Sequence, residues 1–171
     1  MADFEPSFEK MIMNEGGYVL HTVPGDNGGQ TYAGIARNFH QGWEGWEIID
    51  RGDMDNDLLT EMVRIFYKEN FWDRVKGDDI KQQGIAESIF DFAVNAGIKT
   101  ASKLAQLVVG TTPDGKIGPK TLVQINASDE ETFILKYALA KITRYTEIVK
   151  RNPTQKKFLL GWINRTLGAL T

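Results

Sequence analysis

The sequence predicts an α+β protein that is mostly helical, with a small β-hairpin or sheet near its N-terminus and a helical body. Three observations predict this fold class. Apolar residues recur at helical spacing in several segments of the 171-residue chain. Two short β-favouring runs flank a turn cluster between residues 18 and 36. No internal repeat, low-complexity tract or linker divides the chain, which predicts a single domain.

The first predicted element is a helix that ends at Glu15. We expect Glu15 to be its last residue, because Gly16 and Gly17 accept the left-handed conformation that ends helices. The apolar stripe of this helix consists of Phe4, Phe8, Met11 and Ile12.

A hairpin or small irregular sheet is predicted next. The runs YVLHTV (18–23) and QTYAGIA (30–36) favour strands, and PGDNGG (24–29) forms a glycine-rich tip. The following segment, 36–56, is read as a short helix or a packed loop.

The rest of the chain is predicted to be helical. The expected helices span 57–72, 82–96, 99–109 and 129–150, with a further one starting at Pro119 and a last one after Pro153. Ser128 and Glu131 fit a capping box for the long helix. The apolar stripe of the 57–72 helix is Leu58, Met62, Ile65 and Phe66, and the core residues of the last two helices are Phe133, Tyr137, Ile148, Val149, Phe158, Leu159, Trp162, Ile163 and Leu167.

Composition excludes several classes of function. The chain has no cysteine, which excludes disulfides, thiolate catalysis and zinc–thiolate sites. No apolar run has the roughly 18 residues of a membrane span. The N-terminus MADFEPSFEK lacks the basic and apolar regions of a Sec signal, which predicts synthesis in the cytoplasm and release by another route.

Basic residues concentrate at the C-terminus. Residues 136–171 hold eight of the 20 Lys and Arg but one of the 23 Asp and Glu, Glu147. Such a region can contact an anionic polymer, and we expect wall polymers rather than nucleic acid. The alternative is a helix face that docks on the acidic body or stays solvated.

Glu15 is the first candidate for chemistry. A carboxylate in the last turn of a helix faces the negative end of the helix dipole, and nearby apolar groups remove water from it; both effects raise a carboxyl pKa. A general acid that works near neutral pH needs such a shift. The hairpin can place Asp26 and Thr31 opposite, where they would orient a water molecule for glycoside hydrolysis. From spacing alone, a solvent-exposed helix end is the alternative.

Four stretches resemble a known family. EGGYV (15–19) with PGDNGGQTYAGI (24–35) resembles the opening motif of glycoside hydrolase family 108, which are lysozyme-like N-acetylmuramidases. YKENFW (67–72) and FDFAVNAG (90–97) are similar to two later segments of that family. DGKIGPKTL (114–122) resembles an element of its C-terminal peptidoglycan-binding-like region.

The resemblance implies a lysozyme-like fold, with a catalytic core at 1–97 and a helical peptidoglycan-binding-like region at 98–171 packed on it. It also implies hydrolysis of the β-1,4 bond between N-acetylmuramic acid and N-acetylglucosamine in peptidoglycan, with Glu15 as the catalytic acid. The catalytic roles of Asp26 and Thr31 come from a looser similarity to phage-type lysozymes, in which the equivalent Asp comes slightly earlier.

Five further residues are substrate-binding candidates. The aromatic side chains of Tyr18, Tyr32 and Trp72 suit stacking on sugar rings, although core packing is the alternative. Asp91 and Asn95 lie at i and i+4 on an otherwise apolar helix, so both are expected to line the cleft. The alternatives are a helix-stabilising polar pair, or Asn95 as a cap at the Gly97 end of the helix.

We expect no cofactor and no metal. The acidic run from Asp50 to Asp57 fails the EF-hand pattern, because a loop starting at Asp53 has Leu58 where glycine and Arg64 where glutamate is required. His21 and His40 have no partners at metal-ligand spacing. The expected partner is the peptidoglycan glycan strand, bound by a monomer.

Two other functions remain open from the sequence. One is a catalytically inactive lysozyme-like module that binds glycan. The other is a secretion-activating protein, a label that some relatives of the family carry.

Overall fold

The computed structural model describes residues 1–22 and 28–168. It confirms the predicted fold class: a three-stranded sheet lies near the N-terminus and helices make up most of the rest. The elements are α1 (Phe4–Asn14), β1 (Leu20–Thr22), β2 (Gln30–Tyr32), β3 (Ile35–Ala36), α2 (Gly45–Asp50), α3 (Asp57–Tyr67), α4 (Gln83–Ala96), α5 (Ile98–Val108), α6 (Pro119–Ala127), α7 (Glu130–Arg151) and α8 (Lys156–Gly168). Short helical turns at Lys68–Trp72, Gly77–Asp79 and Pro153–Gln155 complete the helical segments.

The chain folds into two compact units. The N-terminal unit is Phe4–Trp72, and the C-terminal unit combines Met1–Asp3 with the chain from Asp73 onward. Residues 1–3 belong to the C-terminal unit because the Ala2 N–H donates to the Ile80 carbonyl at 2.7 Å.

The N-terminal unit has a core formed by α1, the sheet and α3. The sheet is antiparallel in the order β1-β2-β3, with Thr31 opposite both His21 and Ala36. The predicted apolar stripe of α1 is confirmed, and its ring of Phe8 packs 6.0 Å from that of Tyr67 at the end of α3.

The predicted apolar stripe of α3 is confirmed at Phe66, but its other positions are displaced by one residue. Its buried side chains are Leu59, Val63, Phe66 and Tyr67, while Leu58 and Ile65 are exposed. The sequence is apolar in both phases at the start, so periodicity alone does not distinguish them. Tyr67 distinguishes the two phases, because its ring is buried in the unit and its hydroxyl donates to the Ala33 carbonyl.

Helices α4, α5 and α7 form the core of the C-terminal unit, where the rings of Phe92 and Tyr137 pack at 5.9 Å. Pro119 begins α6 as predicted. The predicted capping box was wrong: the Asp129 side chain accepts the Thr132 N–H at 2.9 Å. Ser128 is unavailable for this role, because it ends α6 and its hydroxyl donates to the Gln124 carbonyl.

The expected core of the last two helices is only partly confirmed. Phe133 and Tyr137 are buried, but Phe158 and Leu167 on α8 are 46% and 47% exposed. The α7 position that completes the buried stripe is Lys141, which is 3% exposed. Elsewhere the expected residues, Ile148, Val149, Leu159, Trp162 and Ile163, are half-buried. No helix in the described part of the chain is long and apolar enough to cross a membrane.

Candidate active site

Glu15 lies at the end of α1 in a defined helix-ending motif. Its N–H still donates to the Met11 carbonyl at 3.0 Å, so it is the C-cap residue, one position beyond the helix. The N–H groups of Gly17 and Gly16 donate to Ile12 and Met13, at 2.9 and 3.2 Å, which is the Schellman pattern. Gly16 has φ +91°, a conformation that other residues adopt at a cost. The glycines therefore fix where the helix stops and where the half-buried Glu15 side chain emerges.

The hairpin turn between β2 and β3 packs against Glu15. Tyr32 and Ile35 face each other across the strands, and the two residues between them, Ala33 and Gly34, have φ values of +47° and +79°. Positive φ at both central residues is the two-residue turn that suits a twisted hairpin. A Cβ added at Gly34 would lie 3.5 Å from Cγ of Glu15, so glycine lets this turn approach the carboxylate side chain.

Tyr67 supports the same turn from inside the unit. It is 1% exposed, and its hydroxyl donates to the Ala33 carbonyl at 2.8 Å. A Cβ at Gly34 would lie 2.5 Å from this hydroxyl oxygen. Burial, together with the negative charge of Glu15, raises the pKa of Tyr67. The hydroxyl therefore remains protonated at neutral pH, and Glu15, Gly34 and Tyr67 form one local cluster.

Tyr67 was not predicted as a site residue. The signal was present, because Tyr67 begins the stretch YKENFW noted in the sequence. A tyrosine on a helical stripe nevertheless resembles an ordinary core residue, and its partner lies 34 positions earlier in the chain.

Of the other two predicted catalytic residues, the structure describes Thr31. Thr31 is the central residue of β2 and is half-buried, two positions before the turn that contacts Glu15. Asp26 falls in 23–27, outside the described residues, so its expected place opposite Glu15 stays a prediction.

The predicted sugar-stacking residues differ in exposure. Tyr18 is 41% exposed, so its ring is accessible. Tyr32 is 2% exposed and Trp72 is completely buried, with the Trp72 ring 5.6 Å from that of Phe4. Stacking by Tyr32 and Trp72 is therefore corrected to core packing, the alternative that the sequence left open. Burial of these large aromatic rings stabilises the core of this small unit.

Comparison with known proteins places these features in a family. The profile described as glycosyl hydrolase 108 matches residues 8–97, which include Glu15, the hairpin and Tyr67. The chain belongs to the glycosyl hydrolase 108 family. A second profile, described as "Predicted Peptidoglycan domain", matches residues 100–167. No curated protein matches the chain significantly.

A solved structure agrees with this assignment. The chain is similar to the structure of Brucella abortus SagA, with a TM-score of 0.74 and 29% sequence identity over 98% of this chain and 91% of that one. The resemblance to glycoside hydrolase family 108 seen in the sequence is thus confirmed. With a glycosyl hydrolase segment and a peptidoglycan segment in one chain, the protein has a peptidoglycan-related function.

The glycosyl hydrolase 108 segment also contains Asp91 and Asn95, which lie on α4 in the C-terminal unit. Asp91 accepts a hydrogen bond from Arg165 on α8 at 3.0 Å. The Asn95 amide donates to the Asp91 carbonyl at 3.0 Å. The Asp91 carboxylate thus pairs with Arg165, and Asn95 bonds the helix backbone. Substrate binding by Asp91 and Asn95 stays a prediction.

Proposed function

We propose that the protein is an N-acetylmuramidase that hydrolyses the β-1,4 bond between N-acetylmuramic acid and N-acetylglucosamine in peptidoglycan. The observation that carries the proposal is the position of Glu15. A single carboxylate follows the end of α1, half-buried, with its side chain against the Ala33–Gly34 turn, in the segment that matches a glycosyl hydrolase family. This is the kind of supported carboxyl group that glycoside hydrolysis needs as an acid.

In the proposed reaction, Glu15 gives its proton to the glycosidic oxygen as the bond to the anomeric carbon breaks. Water then attacks that carbon, and Thr31 with Asp26 is proposed to orient it. The proton that the water loses passes to solvent, from which Glu15 is protonated again for the next cycle. Tyr67 keeps its own proton in the bond to Ala33, so it contributes position rather than a proton. The turn and α1 hold Glu15 from two sides, which reduces the geometries that its side chain can adopt.

The test is replacement of Glu15 by Gln, which keeps the shape and removes the acidic proton. We expect release of new reducing ends from purified sacculi to fall by at least about 10²-fold. Glu9→Gln is the matched control, because Glu9 is an exposed carboxylate on the same helix. It should retain normal activity.

The products decide the bond that is cut. Mass spectrometry of the digest should show N-acetylmuramic acid at the new reducing end. Near-normal turnover by folded Glu15→Gln protein would refute the role of Glu15, and absence of hydrolysis by the wild-type protein would favour the inactive glycan-binding module.

A further inference from the structure

Three aromatic rings of the N-terminal unit form a row of successive contacts, from Tyr18 to Tyr32 to Trp43. The Tyr32 ring lies 6.5 Å from the ring of Tyr18 and 6.5 Å from that of Trp43, so it contacts both. Tyr32 is buried, whereas Tyr18 is exposed and Trp43 is half-buried. The row therefore presents partly accessible rings at its two ends.

The polar edge of Trp43 is open. Among residues 1–22 and 28–168, its indole N–H has no acceptor, and its side chain is half-buried. Trp46, three residues later, shows the opposite: its N–H donates to the His40 carbonyl at 2.8 Å and its side chain is buried. A buried indole N–H normally has such a partner, whereas the N–H of Trp43 is left unpaired by the described residues and can donate to a ligand.

The ring of Trp43 is held in place. Gly45 lies against its six-membered ring, and any side chain at position 45 would overlap that ring. The rings of Trp46 and Phe66 pack on it edgewise at 5.2 and 6.2 Å. Arg37 lies over Trp46 at 5.0 Å, which fixes the segment further. A ring that is already immobile loses little entropy when a ligand binds.

We propose that Trp43, together with Tyr18, forms a binding site for N-acetylated sugar rings of the glycan strand. The apolar C–H face of a pyranose packs on an aromatic ring, and the indole N–H donates to a sugar hydroxyl or acetamido oxygen. The site lies in the same unit as Glu15 and extends the substrate contacts of the proposed muramidase, on which this inference rests.

Binding separates this site from the chemistry. In a Glu15→Gln background, titration of a tetramer of β-1,4-linked N-acetylglucosamine by calorimetry should give saturable binding. Trp43→Ala should weaken the affinity by about tenfold, the scale of one aromatic contact. Trp43→Phe keeps a ring and loses the donor, so its loss should be smaller. Gly45→Ala, which displaces the ring without removing it, should also weaken binding.

Trp162→Phe is the matched control, because Trp162 is half-buried but lies on α8 in the other unit. Normal affinity of Trp43→Ala and Gly45→Ala would overturn the proposal, as would equal loss in Trp162→Phe or no binding by the parent. Circular dichroism identifies a variant that fails to fold. If Trp43→Ala fails to fold, the affinity of Trp43→Phe tests the proposal instead. Muramidase activity is measured separately, as release of new reducing ends. The binding result can therefore be interpreted even if the protein does not hydrolyse peptidoglycan.

Discussion

Lys141 is a buried cation of the C-terminal unit, and its replacement by Met measures what that burial costs. Its side chain is 3% exposed, and its ammonium lies 5.0 Å from the ring centroid of Phe92 and 4.9 Å from that of Tyr137. Burial lowers the pKa of Lys141 from 10.5 to about 8; the charge of Asp91 opposes this shift, and that of Arg165 adds to it.

The size of the effect follows from the pKa. A change from 10.5 to about 8 corresponds to about 3 kcal/mol of lost stability while Lys141 is protonated in both states. The two cation–π contacts, which Met would lose, offset about 1 kcal/mol of this cost. Met has a similar length and fills the space of the lysine stem. Lys141→Met should therefore raise the free energy of unfolding by about 2 kcal/mol at pH 7.

The pH dependence gives the sharper test. Because the pKa of Lys141 is lower in the folded state, the unfolded protein binds more protons between about pH 8 and 10.5. Wild-type stability therefore rises with pH in this window, and the cost is fully present below about pH 8. The cost of the charge falls by about 2.5 kcal/mol between pH 7 and pH 10, so the advantage of Lys141→Met should disappear over this range. Tyr137 and Tyr145, whose pKa values are raised by burial, titrate in both proteins and largely cancel in the difference.

Urea unfolding at pH 7 and pH 10, followed by circular dichroism, measures this difference. Lys136→Met is the control, because Lys136 is exposed on the same helix; its stability should change by less than about 0.5 kcal/mol. A variant at Lys141 that is less stable than wild type at pH 7 would refute the reasoning. So would an advantage that is equal at both pH values, because the cost would then not come from the charge.

Two further predictions concern the active site and the basic region. Gly34→Ala places a Cβ against the Tyr67 hydroxyl at positive φ. It should lower the free energy of unfolding by about 2–4 kcal/mol and remove most of the muramidase activity. Gly42→Ala is the control, because a Cβ there meets no atom within 4 Å, and it should change neither quantity. Four exposed cations around the end of α7 should hold the protein on sacculi by charge, so changing them to Gln should weaken pelleting with sacculi at low salt only, and unchanged pelleting would show a merely solvated face. These four residues are Lys150, Arg151, Lys156 and Lys157.

The sequence predicted the parts of the site that depend on local chain geometry. Two consecutive glycines stop α1, so Glu15 was placed within one residue of its position. The two β-favouring runs likewise contain the strands β1 and β2, but the turn at Ala33–Gly34 that packs against Glu15 interrupts the second run and was not predicted. The helix end and the strands are predictable because the residues that form them are adjacent in the chain.

Long-range contacts explain most of what the sequence did not predict. The partner of Tyr67 is 34 residues away and that of Asp91 is 74 residues away, and neither distance leaves a local pattern. Lys141 is different, because the spacing from Phe133 through Tyr137 points to position 141 on the same buried face. Lysine is usually exposed, so Lys141 was not predicted as a core residue although the periodicity correctly indicated that position.

Helix α4 shows that family segments and packing units are not the same division of this chain. By sequence, Gln83–Ala96 lies within the glycosyl hydrolase segment that ends at residue 97. By packing, it belongs with α5 and α7, and its side chains Ile85, Ile89 and Phe92 are buried in the C-terminal unit. A cut at residue 97 would separate this apolar face from the helices that cover it. The peptidoglycan segment therefore supplies the helices that cover α4, in addition to any surface that binds a ligand. The boundary between the two family segments is not a boundary between independent cores.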